Sequence, residues 1–249
     1  SFFLNSGKEV FSIGMSLQAL TWGLGSFIVG MIIDKFGSQK ALAFGIICYG
    51  CGIYILSNPD LLLDIHKQYI NAGSNYITAN TFRTTTRSYL KTGLSNSNAT
   101  KIAKQSMKSA IRIARMSANS STKVLGSIAP LEDCYSPNLF PGVDIAENEF
   151  SIIAKWLKDE NIDGYILETM NSISETQCCL NVVNKLELPI WVSFNLLNSK
   201  RIQSGETLID AIKMTSNYNV ECILVNCNPL NRTDDALQII SENCEMWGI

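Results

Sequence analysis

The run Glu221-Cys-Ile-Leu-Val-Asn-Cys-Asn-Pro229 sets one thiol, Cys227, at the C-terminal tip of what reads as a buried strand. The reactive form of a thiol is the thiolate, so chemistry at Cys227 depends on its surroundings. Four earlier apolar runs end in the same polar way. Thr78, Asn80 and Thr81 close the first, Ser127 the second, Glu168 and Thr169 the third, Ser193 and Asn195 the fourth, and Asn226 and Cys227 the fifth. One polar strand end means little. Five of five imply a shared polar pocket at the C-terminal face of a parallel sheet, where strand tips fix side chains and loops wall the site.

The elements that must position these residues are the strands Tyr76–Phe82, Val124–Pro130, Gly164–Met170, Pro189–Leu196 and Glu221–Pro229. Short apolar runs alternating with helical stretches predict parallel βαβ units. Their spacing suits a (β/α) barrel or a doubly wound sheet. Asn58-Pro59 predicts the cap and first position of a helix, Leu61, Ile65 and Tyr69 its apolar face, and Gly73 the residue past its end. Lys101–Arg115 mixes basic residues with Ile and Ala at helical spacing and reads as an amphipathic helix with a solvated face. His66, the one histidine, reads as a partly exposed helix residue rather than a ligand.

The chain of 249 residues has room for one large domain or two modest ones. A net charge of −2 and a pI near 5.5 give no reason to expect a nucleic-acid partner. Mean hydropathy of +0.11 is high for a soluble enzyme, and its source is local. No charged residue occurs from Val10 to Ile33, nor from Ala41 to Ser57. Crossing the hydrocarbon core takes about 20 apolar residues. The first run is long enough and the second sits at the lower edge, so residues 1–57 are expected to form two transmembrane helices. The first run is too long for a signal-peptide core. The 8 cysteines follow no disulfide-like spacing and read as reduced thiols.

Between those runs lies Gly30-Met-Ile-Ile-Asp34-Lys35-Phe36-Gly37-Ser38-Gln39-Lys40. It resembles the loop between the second and third helices of major facilitator transporters, with Gln39 where a basic residue is usual. Gly30 permits close helix packing, Gly37 a tight turn, and Asp34 with its basic neighbours a charge relay at the membrane face. Two helices of such a fold cannot enclose a substrate site at the midplane. A membrane transport protein with a soluble appendage is accordingly the lesser reading.

From Asn58 onward the motifs Thr78-Ala-Asn80-Thr81-Phe82, Gly126-Ser-Ile-Ala-Pro130-Leu-Glu-Asp133-Cys-Tyr135, Leu167-Glu168-Thr169-Met170 and Val225-Asn226-Cys227 occur in order. Together they resemble the zinc-dependent homocysteine S-methyltransferases. The resemblance implies a (β/α)8 barrel and transfer of a methyl group to the homocysteine sulfur, giving methionine. It implies homocysteine and a methyl donor as partners, and a zinc cofactor held by three cysteines. Zinc bound by thiolates takes the substrate sulfur in its open position and deprotonates it. Cys227 matches the first metal ligand. Glu168 matches the carboxylate that binds the substrate amino group, and Asn80, Thr81 and Asn226 are expected to shape the substrate pocket.

The family's opening Asp-Gly-Gly-x-Gly-Thr strand and its Gly-Gly-Cys-Cys ligand pair have no counterpart in this sequence. Cys178-Cys179 follow Thr176-Gln177 and fall in a helix, so they are not expected as ligands. Cys222 should face away from Cys227 across the strand and be buried. The expectation is therefore an α/β chain: an incomplete barrel of about five of eight strands over residues 58–249, preceded by two transmembrane-like helices over 1–57. Such a chain reads as a fragment or chimera joined near Asn58, inactive as it stands. A thiolate–zinc enzyme belongs in a reducing compartment, which predicts a cytoplasmic place for the enzyme part and a membrane place for residues 1–57.

Overall fold

In the computed structural model of the chain, residues 59–249 are described. The helix predicted after Asn58 is α1 (Pro59–Asn71), and Gly73 follows it at φ 101°, where a glycine fits a helix end. Next come β1 (Tyr76–Ala79), the short α2 (Thr86–Leu90) and α3 (Asn96–Ser117). β2 (Lys123–Ile128), α4 (Val143–Asp159), β3 (Gly164–Met170) and α5 (Ile173–Val183) continue the alternation. β4 (Ile190–Phe194) is followed by the hairpin strands β5 (Leu196–Asn198) and β6 (Arg201–Ile202). The chain then runs through α6 (Leu208–Thr215), β7 (Val220–Val225), α7 (Leu230–Ser241) and β8 (Trp247–Gly248).

Local chemistry sets these helix starts. The Ser95, Ser172 and Thr207 side chains accept from the backbone N–H three residues on, satisfying an otherwise unpaired donor of the first turn. Helix α4 buries Ala146, Phe150, Ile153, Ala154 and Leu157, one stripe at helical spacing. Helix α3 does the same with Ala99, Ala103, Met107, Ala110, Ile111 and Ala114, leaving its basic face to water as the sequence predicts. Each large apolar side chain so buried stabilises the fold by about 1.5–3 kcal/mol.

The sheet has six strands in the order β1-β2-β3-β4-β7-β8, every neighbouring pair parallel. The order never reverses, which separates this fold from a doubly wound sheet. Right-handed crossovers put every connecting helix on one face of such a sheet. Yet β2 and β3 are buried along nearly their whole length on both faces. The sheet therefore curls so that its inner side chains cover one another, as a half-barrel. Gly164 lets β3 approach the residue before β4 closely: a Cβ there would lie 2.9 Å from the Pro189 carbonyl oxygen.

Three sequence expectations change. The sheet gains a sixth strand, β8, whose two residues carry too little pattern to be seen in the sequence. Strands β1 and β7 stop at Ala79 and Val225, short of Phe82 and Pro229, so Asn80, Thr81, Asn226 and Cys227 lie just beyond the ladder. His66 is buried rather than partly exposed, and burial lowers its pKa. The two expected transmembrane helices of residues 1–57 lie outside the described residues. Among the described residues no helix is long and apolar enough to cross a membrane.

Candidate active site

Glu168 and Thr169 sit where the β3–β4 register shifts, between Leu167 and Met170. A bulge of this kind re-aims a side chain. Thr169 takes φ 59°, a left-handed conformation that a β-branched residue adopts only when its surroundings impose it. Glu168 is half-buried and accepts a hydrogen bond on Oε2 from Ser127 Oγ of the neighbouring strand. Burial pushes its pKa above the ordinary carboxylate value, and the Ser127 bond only partly offsets this.

Ser127 is itself held by Thr81. The Thr81 hydroxyl donates to Ser127 O at 2.9 Å and accepts from Ser127 N at 2.9 Å. This side chain replaces the ladder where β1 has ended, which explains why Thr81 is buried. It reaches Glu168 through Ser127. Asn80, its neighbour, is exposed.

Asn226 ties three strand ends together. Its Oδ1 accepts from Thr169 N at 3.2 Å and from Ser193 Oγ at 2.8 Å. Its Nδ2 donates to Thr169 Oγ1 at 2.9 Å and to Cys227 Sγ at 3.7 Å. Cys227 is exposed, with φ 56°, and its sulfur is also 4.0 Å from Thr169 Oγ1. The geometry thus links the Glu168–Thr169 bulge to the Cys227 thiol through one amide. Cys178, Cys179 and Cys222 are buried in the core, and burial raises the pKa of each.

The loop after β2 reaches the same place. Tyr135 Oη donates to the Cys227 carbonyl oxygen at 3.4 Å, and the Cys134 carbonyl oxygen accepts from Asn195 Nδ2 at 3.2 Å. Glu175, buried in the first turn of α5, accepts from Leu131 N at 2.7 Å and so fastens that loop. Arg83 Nη2 donates to the Glu132 carbonyl oxygen. Sequence reasoning missed Arg83 and Glu175 as parts of this frame, because neither belongs to an apolar run or its tip. A cavity of about 670 Å³ lies elsewhere, lined by Arg87, Leu90, Thr100, Glu149, Ile152 and Trp156 on α2, α3 and α4. None of the strand-tip residues lines it.

For a metal, the donor set decides. Cys227 offers one thiol, and among the described residues no three His, Cys, Asp or Glu side chains come together as a site. A thiolate zinc centre with an open position needs three protein donors. The described residues alone do not fit a zinc ion.

Comparison with known proteins gives the site its setting. The family model described as homocysteine S-methyltransferase matches residues 32–247. The chain is 20% identical over 200 residues to Homocysteine S-methyltransferase 1 of Arabidopsis thaliana, covering 71% of this chain and 61% of that protein. It thus spans less than two thirds of that relative's length. It is 21% identical over 225 residues to Homocysteine S-methyltransferase 1 of Zea mays, covering 78% of this chain and 70% of the other. Among solved structures, the metallated form of the homocysteine methyltransferase MmuM from Escherichia coli superposes with a TM-score of 0.70 at 21% identity. That superposition covers 79% of this chain and 73% of MmuM, and supports the fold.

These matches correct the expected localisation, membrane for residues 1–57 and cytoplasm for the rest. The family match begins at residue 32, inside the stretch assigned to membrane helices and within the transporter-like loop. The relatives matched are methyltransferases over most of the chain. An apolar run is ambiguous between a membrane span and a buried element, which is how the expectation arose. By the extent of the match, this chain belongs to the homocysteine S-methyltransferase family.

Proposed function

We propose that this chain binds homocysteine at the strand tips and serves transfer of a methyl group to its sulfur, giving methionine. The observation that carries the reading is the linked pair of Glu168 and Cys227 at one end of the sheet. An α-amino acid thiol needs a carboxylate for its ammonium group and a sulfur-handling group a side chain's length away. Glu168 supplies the first: among the described residues Oε2 is taken by Ser127 while Oε1 accepts no hydrogen bond. Cys227 is proposed as a thiol donor toward a zinc ion, the role the family resemblance implies for it. Asn80, exposed beside the site, and Thr81, acting through Ser127, are proposed to shape the pocket.

In the reaction the homocysteine sulfur attacks the methyl carbon of the methyl donor. The S–C bond forms as the donor's carbon–heteroatom bond breaks, its electron pair returns to the donor heteroatom, and the thiol proton is released. The part of this chain's own residues is to hold the ammonium group on Glu168 and keep the sulfur beside Cys227.

Calorimetric titration with L-homocysteine tests the reading. The expected result is binding by the unsubstituted chain and a loss of about ten- to a hundredfold in affinity for Glu168→Gln, the scale of a hydrogen bond to a charged group. A folded chain that takes up no homocysteine, or a Glu168→Gln variant that binds as well, overturns it.

A further inference from the structure

An amide side chain has two acceptor lone pairs and two donor hydrogens. Asn226 has all four engaged, with Thr169 N and Ser193 Oγ on the oxygen and Thr169 Oγ1 and Cys227 Sγ on the nitrogen. Nothing remains for a ligand, so this residue acts through its partners. Two of the four bonds go to Thr169, one to its backbone and one to its hydroxyl. Thr169 is the residue whose left-handed φ of 59° turns the β3 end and aims the preceding Glu168. A non-glycine residue holds that conformation at a cost, and the Asn226 amide is the group that closes on it. The Asn226 main chain is separately paired, N–H to Phe194 O at 3.2 Å, so the ladder does not need the side chain.

We propose that Asn226 is a positioning residue that clasps Thr169 in its left-handed conformation and thereby holds the Glu168 carboxylate and the Cys227 thiol in one fixed relation. The inference rests on the homocysteine reading above and names what sets the geometry of that site. Only asparagine meets the requirement at this length. Aspartate keeps both accepted bonds and loses both donated ones, while alanine leaves Thr169 N and the Ser193 hydroxyl without this partner.

The test is homocysteine affinity by calorimetry, with circular dichroism and thermal melting on each variant, in the full chain. Asn226→Ala is expected to weaken binding about tenfold, the scale of a buried group left unpaired. Adding Thr169→Gly, which takes the left-handed conformation without a clasp, is expected to restore affinity to within about threefold. A merely structural role for Asn226 predicts no such rescue, so its absence overturns the proposal. If Asn226→Ala does not fold, Asn226→Asp decides: weakened binding supports the proposal and unchanged binding overturns it. Absence of homocysteine binding by the unsubstituted chain sinks the functional reading and this inference with it. Binding by that chain, matched by a folded Asn226→Ala, sinks this inference alone.

Discussion

Ser127, on β2, donates its hydroxyl proton to Oε2 of Glu168, on β3. This bond tempers how a half-buried carboxylate behaves with pH. Burial favours the protonated acid and raises the Glu168 pKa, and the Ser127 bond favours the carboxylate but does not fully compensate. Binding an ammonium group needs the carboxylate. Homocysteine affinity is therefore expected to rise as pH rises through a midpoint above the ordinary glutamate value, then level off. Ser127→Ala should move that midpoint further up. Calorimetry across mildly acidic to neutral pH checks both, and an affinity flat over that range contradicts them. The stability sign is opposite: the folded state holds this proton to higher pH than the unfolded chain, so stability falls between the two pKa values. Glu168→Gln should remove that slope and melt higher at neutral pH.

Cys227 is the exposed thiol among the described cysteines, whereas Cys134, Cys178, Cys179 and Cys222 are buried. Burial pushes the Cys222 thiol to about 11 and Cys134 upward as well. Brief treatment with iodoacetamide is expected to modify Cys227 before any of these four, and homocysteine to slow that modification. Peptide mapping by mass spectrometry reads both effects. Equal labelling of Cys134 and Cys227 would count against the geometry.

Asp163 joins two crossover connections. Its Oδ2 accepts from Arg115 Nη1 at 2.6 Å and from Val124 N at 2.7 Å, while its own N–H donates to Val124 O at 2.8 Å. Burial would raise its pKa, but the Arg115 and Val124 bonds and the charges of Arg115 and Lys123 outweigh it and hold the carboxyl low. Its contribution is present above the unfolded aspartate pKa and is lost as pH falls through the depressed folded value. Asp163→Ala leaves the buried Val124 N–H unpaired and is expected to cost about 1–3 kcal/mol in urea unfolding at neutral pH. The deficit should shrink on acidification.

Gly164 offers a backbone test. A Cβ there meets the Pro189 carbonyl oxygen at 2.9 Å and Leu125 Cδ2 at 3.0 Å. That carbonyl cannot retreat freely, because it accepts from Tyr165 N at 2.8 Å. Gly164→Ala is expected to destabilise by about 1–3 kcal/mol through overpacking. A melting temperature equal to that of the unsubstituted chain contradicts the packing.

The five long strands were legible because each is an apolar run between helical stretches, and their polar tips pointed to one end of the sheet as the candidate site. The ends of β1 and β7 were not. Thr81 takes over ladder bonds with a side chain, and Cys227 turns left-handed without being glycine or asparagine, so neither departs from an extended pattern in the sequence. Thr169 is the same case within β3. Glu175 reads as an ordinary first-turn acid, yet its carboxylate reaches Leu131 N, 44 residues earlier. Such bonds depend on three-dimensional proximity that no periodicity records. The membrane reading of residues 1–57 failed for a related reason: hydropathy reports that a run avoids water, not what covers it.

Because strand order equals chain order, the protein suits assembly during its own translation. Each strand of the six-stranded sheet leaving the ribosome pairs with the strand of that sheet made before it, the β5–β6 hairpin being the one insertion between neighbours. Closing the loop between neighbours adds little entropy cost from one unit to the next. The β2–β3 pair, with Ser127 and Glu168 already adjacent, can therefore form before Cys227 has been synthesised. Substitutions at Gly164 or Asp163 should slow the docking of β3 on β2, whereas those at Asn226 act only after most of the sheet exists.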